Sequence, residues 1–321
     1  SWDEIKYLKG ALKEFESIPG WEDADEKAAK CKQRIEELTA KEEREAEEKR
    51  AAARWRKKAV IIITAILCVF VALILLWEQG VVPNRKYKEA LSLLADGNPD
   101  NLIQGYEQLI ALNGFKDSEA KAAEVFDQYK VEKLKNPAVG DIVYFGKYEQ
   151  DNDASNGAED IEWIVLAKKE DSYLVITKYA LDCIPYNEQK QRVTWQGSTL
   201  RNWLNYDFLD EAFTDEETSA IIIPNYDIGR DKVFLLSTQE AAQCFADSDA
   251  RKCTPTDYAI AKYVETEVVD GKVTCSWWLR SPGSSLYKAA YVNNKGEYDS
   301  AGNYIQYSRF GKNRRSLYKL I

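Results

Sequence analysis

The strongest pattern in the chain is a run with no polar face. From Ala59 to Trp77 the sequence reads AVIIITAILCVFVALILLW, without a charge, a proline or a glycine. As a helix it measures about 28 Å, close to the ~30 Å hydrocarbon core of a bilayer. A helix buried in a soluble core rarely stays apolar on every face for that length. The pattern predicts one transmembrane helix over 59–77, with Trp55 and Trp77 at the two interfaces. A signal-peptide reading does not fit, because no small-residue cleavage site follows the run. Arg50, Arg54, Arg56, Lys57 and Lys58 precede it, whereas Glu78 and Gln79 follow and Arg85, Lys86 and Lys88 lie farther out. That asymmetry predicts a single-pass cell-membrane protein with a cytoplasmic N-terminus and an extracellular C-terminal domain.

The flanking patterns divide the rest. Ile5, Leu8, Leu12 and Phe15 recur at helical spacing, SIPGWED breaks the pattern, and a second helix runs to Leu38, so 1–38 reads as a helical hairpin. Residues 39–58 are Glu-, Lys-, Arg- and Ala-rich and read as a charged helical linker. Beyond the membrane an internal repeat appears: FESIPGWEDADEKAAKC (15–31) matches LIALNGFKDSEAKAAEV (109–125) at a constant offset. Gly20 and Gly114 end the first helix of each copy, and Asp23 and Asp117 stand where a cap for the second belongs. The copies resemble tetratricopeptide-like hairpins, and 84–135 reads as a helical-hairpin stalk.

After Asn136-Pro137 the period changes to short strand-like runs: DIVYFGKYEQ, EWIVLAKKEDSYLVITKY and DKVFLLS. A helix is expected at Thr199–Ile221 and a shorter one at Thr238–Phe245. The fold class is α+β, with an outer domain over 139–321 large enough to bury its own core.

Composition narrows the chemistry. Histidine is absent, which removes His-based triads, HExxH zinc sites and every His-ligated metal. Six cysteines contain no CxxC, and the net charge is −9, so neither a zinc ribbon nor a nucleic-acid partner is expected. No cofactor is expected. Cys183, Cys244, Cys253 and Cys275 fall in the outer domain, where either disulfides or reduced core thiols fit; Cys253 with Cys275 is the first pairing to consider. The acidic stretch Asp151–Asp160 lacks the glycine and glutamate of a calcium loop and reads as solvated, so no metal site is expected.

The outer domain carries a recognisable set of motifs. WWLRSPG (277–283), with EWIVL (162–166), TLRNWLN (199–205), DKVFLLS (231–237), RKCTPTDYA (251–259) and AAYVNNKGEYDSAGNYI (289–305), resembles a bacterial domain family of unknown function (family 6273). The family looks C-type-lectin-like and similar to the variable proteins of diversity-generating retroelements. The resemblance implies adjacent first and last strands, two helices and a long irregular ligand-binding face. The family often ends in a GVRPAL-type strand; here Lys312–Ile321 reads KNRRSLYKLI, without proline, and Leu317, Lys319 and Ile321 keep an alternating pattern.

The C-terminal segment has the composition of a binding face. It is basic, and its Tyr, Asn, Ser and Gly content supplies rigid contact area with adaptable hydrogen bonding. Ala289, Val292 and Ile305 are expected to point inward. Tyr287, Lys288, Tyr291, Asn293, Lys295, Glu297, Tyr298, Tyr304, Gln306, Tyr307 and Arg309 are the candidate ligand-binding residues. Trp277 and Trp278 are expected to fill the core, and Arg280 to tie loops through carbonyls. The expected function is therefore a surface-displayed binding protein for a protein, peptide or glycan ligand, with a cytoplasmic protein partner for the N-terminal hairpin. The alternatives are an envelope scaffold without a ligand, or a thiol-dependent enzyme of the formylglycine-generating type using Cys253 and Cys275. No catalytic residue is assigned.

Overall fold

The computed structural model describes residues 2–21, 23–169, 172–223, 229–305 and 317–320. The chain divides into two compact units, Ser1–Lys86 and Tyr87–Ile321.

In the first unit, α1 (Trp2–Glu16) packs along α2 (Ala24–Leu76). α2 has 53 residues, about 80 Å, and joins what the sequence divides into hairpin, linker and apolar run. No proline or glycine interrupts it, and its Ala, Glu, Lys and Arg are strong helix formers. Among the described residues it is the one helix long and apolar enough to cross a membrane, and its apolar window has none of its residues buried. A π-turn at Trp77–Val81 follows, then α3 (Val82–Ala95), across which the unit boundary falls.

The second unit opens with α4 (Pro99–Ala111) and α5 (Ser118–Lys135), which join α3 around Tyr87, Ala90, Leu109 and Ala122. Asn98 caps α4 by accepting from Asp100 N, with Pro99 at the first helical position. Then come β1 (Ile142–Tyr148), β2 (Glu159–Lys169), β3 (Ser172–Thr177), β4 (Tyr179–Ala180), α6 (Thr199–Asn205), α7 (Asp207–Ala212), α8 (Asp215–Ala220), α9 (Thr238–Cys244), α10 (Ser248–Arg251), β5 (Thr254–Pro255) and α11 (Asp257–Ala261). The last part holds β6 (Thr266–Val269), β7 (Lys272–Cys275), β8 (Trp277–Pro282), β9 (Lys288–Val292), β10 (Tyr298–Tyr304) and β11 (Leu317–Leu320). The architecture is mixed α+β with small sheets.

One antiparallel sheet has the order β1-β2-β3-β11. The closing strand forms without the proline, with Leu317 opposite Ile176 and Lys319 opposite Leu174. The first and last strands thus share a sheet but occupy its opposite edges, whereas the resemblance implies that they are adjacent. The chain runs from β1 directly into the β2–β3 hairpin, and β11 adds to the edge that β3 leaves open. A second sheet has the order β10-β9-β8. Consecutive residues of a strand face opposite ways, and β8 uses this to serve two cores. Trp278 joins Trp163, Phe208 and Tyr186; Trp277 joins Ile176, Cys253, Cys275 and Phe245.

Two sequence expectations change here. Thr199–Ile221 is three short helices rather than one. Asn205 ends the first by turning its side chain onto Lys232 N and Val233 O, and Thr214 with Glu217 builds a capping box that starts the third. DKVFLLS enters none of the strands assigned above. Val233 to Leu236 are all fully buried, so the run has no solvent face to alternate with, and side chains satisfy much of its backbone.

Candidate functional site

The WWLRSPG strand organises the region. Arg280 donates from Nη1 to Leu235 O and forms a two-pronged pair with Glu240, whose Oε1 lies 2.7 Å from Nη2. The carbonyl contact follows the sequence expectation; the Glu240 partner lies 40 positions away and carries no sequence signal. Burial would raise the Glu240 carboxyl, but the Arg280 hydrogen bonds and charge together with the Ser237 hydrogen bonds outweigh it and hold the group below its ordinary value. Glu240 also caps Ser237 N at 2.8 Å. A parallel tie stands nearby: buried Asp231 accepts from Trp195 Nε1 at 2.9 Å and from Arg201 Nε at 2.7 Å.

On this base stands the hairpin β9–turn–β10. Asn293 shapes its turn: Oδ1 accepts from Lys295 N at 2.9 Å and Glu297 N at 3.0 Å, and Nδ2 donates to Glu297 Oε2 at 2.9 Å. Gly296 closes it at φ +79°, pressed so near α10 that a Cβ would stand 1.8 Å from Ser248 O. Arg251 clamps the hairpin from outside, donating from Nε to Gly296 O at 2.7 Å and stacking 4.2 Å from the Tyr298 ring centre.

Beside this turn lies a groove of about 280 Å³, lined by Tyr291, Asn293, Asn294, Lys295 and Glu297, with Glu265, Glu267 and Ser276. The structure thus brings together four of the expected residues. It adds four that sequence reasoning missed, three of them from or beside the β6–β7 hairpin. Ser276 Oγ donates to Asn294 Oδ1, joining the two hairpins. Burial and a hydrogen bond to Asp299 push the Tyr291 phenol up to about 12, so it stays a neutral donor at physiological pH.

The other expected residues lie elsewhere. Tyr287 and Tyr304 are exposed at the far end of the hairpin, where Lys288 Nζ stands 5.0 Å from the Tyr304 ring centre. That end is about 13 Å from the turn by strand rise. Tyr298 is half-buried, and its buried hydroxyl has no hydrogen-bond partner among the described residues, so it belongs to the hairpin's support rather than its outer surface. Gln306, Tyr307 and Arg309 lie outside the described residues. The groove is also not the basic face that composition suggests: three carboxylates line it against one ammonium. Of the segment's basic residues, Arg280 is spent on Glu240, and Arg309, Lys312, Arg314 and Arg315 lie outside the described residues.

Cys253 and Cys275 do meet, as opposite residues of an isolated antiparallel bridge with Cys275 N donating to Cys253 O at 2.8 Å. Both side chains are fully buried in the core. Cys253 Sγ points at its neighbour's carbonyl, 3.5 Å from Thr254 O. Neither sulfur offers solvent the accessible thiolate that thiol catalysis requires. In the acidic loop, Glu149, Asp151 and Glu159 bring carboxylate oxygens within 4.8 Å of one another, a grouping a cation could occupy. These carboxylates are engaged by the loop's own amides: Glu159 takes Gln150 N at 2.7 Å, and Glu149 and Asp151 share Asp153 N.

Residues 170–309 match the model of a family described as a domain of unknown function (DUF6273). The match takes in α6 to α11, the WWLRSPG strand and the groove, and leaves α1 to α5, β1, β2 and the closing strand outside it. No curated protein and no solved structure matches the chain.

Proposed function

We propose that this chain is a membrane-anchored, surface-displayed binding protein, with α2 as its anchor, its N-terminus in the cytoplasm and its 139–321 domain outside. The observation that carries the reading is the groove at the β9–β10 turn. Its backbone is fixed by Asn293, Gly296 and Arg251, while Tyr291, Lys295, Glu265, Glu267 and Glu297 line an open concavity. A rigid frame with adaptable polar side chains is what a binding face needs, because little ordering entropy is lost on binding. The charge balance favours a protein or peptide segment bearing lysine or arginine over a neutral glycan.

One feature is consistent with a C-type-lectin-like fold, the smaller sheet that carries the irregular loops, whereas the first and last strands stand at opposite edges of their sheet rather than side by side. The far patch of Tyr287, Lys288 and Tyr304 extends the same hairpin surface. If exposed hairpin positions are diversified, a neighbouring reverse transcriptase with a template repeat matching codons 278–321 should accompany the gene.

The test is capture on peptide, protein and glycan arrays by the full chain in nanodiscs. The reading expects a cationic ligand whose binding weakens about ten-fold on Glu267→Gln, a loss of roughly 1.4 kcal/mol. Capture indifferent to Glu267→Gln and Tyr291→Ala would move the binding face elsewhere, and no capture on any array would favour a scaffold without a ligand.

A further inference from the structure

The turn of the N-terminal hairpin and the turn between α4 and α5 are one structure built twice. Ile18 N donates to Phe15 O as Leu112 N does to Leu109 O; Trp21 N to Ile18 O as Phe115 N to Leu112 O; Ala24 N to Trp21 O as Ser118 N to Phe115 O; and Lys27 N to Asp23 O as Lys121 N to Asp117 O. Gly20 and Gly114 take φ +77° and +78°, and Asp23 and Asp117 enter the following helix at φ −101° and −104°. The sequence repeat is therefore a structural repeat down to single hydrogen bonds.

The copies differ in what lies on them. On the second, α3 is seated. Tyr87 donates its hydroxyl to Asp117 and sets its ring edge-on to Phe115, with centres 6.4 Å apart. Ala90 and Leu94 press on Gly105 so closely that a Cβ there would stand 2.9 Å from Leu94 Cδ2 and 3.1 Å from Ala90 O. Leu109 is fully buried beneath, and Phe115 half-buried. On the first copy, no helix among the described residues of its unit takes α3's place. Ile18 is 40% exposed and Trp21 65% exposed, and Phe15, at the position of Leu109, is only half-buried. Asp23, without a phenol to accept, turns to Lys27 on its own helix at 2.9 Å. Both members of that pair are exposed, so the contact holds little energy and exchanges readily for a better donor.

We infer that this bare face docks an amphipathic helix of a partner protein built like α3. The helix presents a tyrosine to Asp23, a small residue three positions on over Ala11, and leucines at four and seven positions on over Leu12, Phe15 and Ile18; because Ala11 carries the methyl that Gly105 lacks, the helix stands a few tenths of an ångström farther off and its second leucine turns its tip aside. That is the spacing of Tyr87, Ala90, Leu91 and Leu94 in the occupied copy. The apolar face supplies most of the contact. The carboxylate at its end fixes the register, because it takes a hydroxyl donor at one point only, as Asp117 does.

The experiment uses the full chain in detergent micelles and a fluorescent peptide with the sequence of residues 82–95. The expected result is saturable binding that falls about ten-fold on Trp21→Ala, with helicity unchanged by circular dichroism, and is unmoved by Trp55→Ala. A peptide with Tyr87→Phe should bind about ten-fold more weakly, the scale of a hydrogen bond to a charged group, and Asp23→Ala should erase that difference. Absence of binding to the folded chain overturns the inference. So does binding with no Tyr/Phe difference, which is general apolar adhesion. A concentration-dependent dimer lost on Trp21→Ala also overturns it, giving the face to a second copy of this chain.

Discussion

Gly296→Ala tests the frame of the proposed binding face without touching a ligand-facing side chain. Two costs add at this position. A residue with a Cβ at φ +79° carries the left-handed penalty of about 1–2 kcal/mol. The new Cβ also collides with Ser248 backbone, with the oxygen at 1.8 Å and the carbonyl carbon at 2.8 Å, so the turn must lift from α10. Lifting breaks the Arg251 Nε bond to Gly296 O, a charge-assisted contact worth about 1.5–3 kcal/mol. The sum is about 3–5 kcal/mol. Gly271, at φ +75° in the β6–β7 turn, has no atom within 4 Å of a built Cβ and isolates the conformational part. Urea unfolding of the outer domain, followed by tryptophan fluorescence on the full chain, should therefore show Gly296→Ala about 2–3 kcal/mol less stable than Gly271→Ala, the scale of the severed charge-assisted bond. Equal losses would mean that the turn does not rest on α10 and that Arg251 is not its clamp.

Other expectations follow from the same geometry. Arg280→Ala leaves the partly buried Glu240 carboxylate without its partner and should cost about 3 kcal/mol. Because the folded Glu240 carboxyl is held below its ordinary value, its stabilisation is present above the ordinary carboxylate range and is lost as pH falls through the depressed value. Acid titration of stability should show this loss in the parent and a shallower one in Glu240→Gln. Asp231→Ala strips Trp195 and Arg201 of their shared acceptor and should destabilise by about 3 kcal/mol or more in the same urea assay. Cys253 and Cys275 should resist a thiol reagent until urea unfolds the domain; modification of either under native conditions would contradict their burial.

How much was legible in the sequence depends on the range of the signal. The apolar run, the repeat and the β1, β2 and β3 runs rest on local period, and each appears as an element. Within the repeat, glycine marks the same left-handed position in each copy, but Asp23 and Asp117 stand at the cap position without capping: their side chains go to Lys27 and Tyr87 instead of the helix amides. DKVFLLS misled because a run buried on all sides has no period, and its backbone partners, Asn205 and Arg280, lie far off in the chain. The groove was half legible. Asn293, Lys295 and Glu297 announce a turn, but Glu265, Glu267 and Ser276 reach it only through the pairing of β6 with β7. Composition also assigned a basic character to this face, because it counts Arg280 without knowing that Glu240 neutralises it.

The display of this groove on the outer side of the membrane is the claim on which the functional reading turns, and Lys295→Cys tests it most directly. Lys295 is exposed at the groove, while Glu47 is exposed on the charged stretch of α2 before the apolar run. A membrane-impermeant maleimide applied to intact cells should label Lys295→Cys above the parent chain and leave Glu47→Cys at the parent level until the cells are permeabilised. The reverse pattern would place the groove inside the cell and contradict the account.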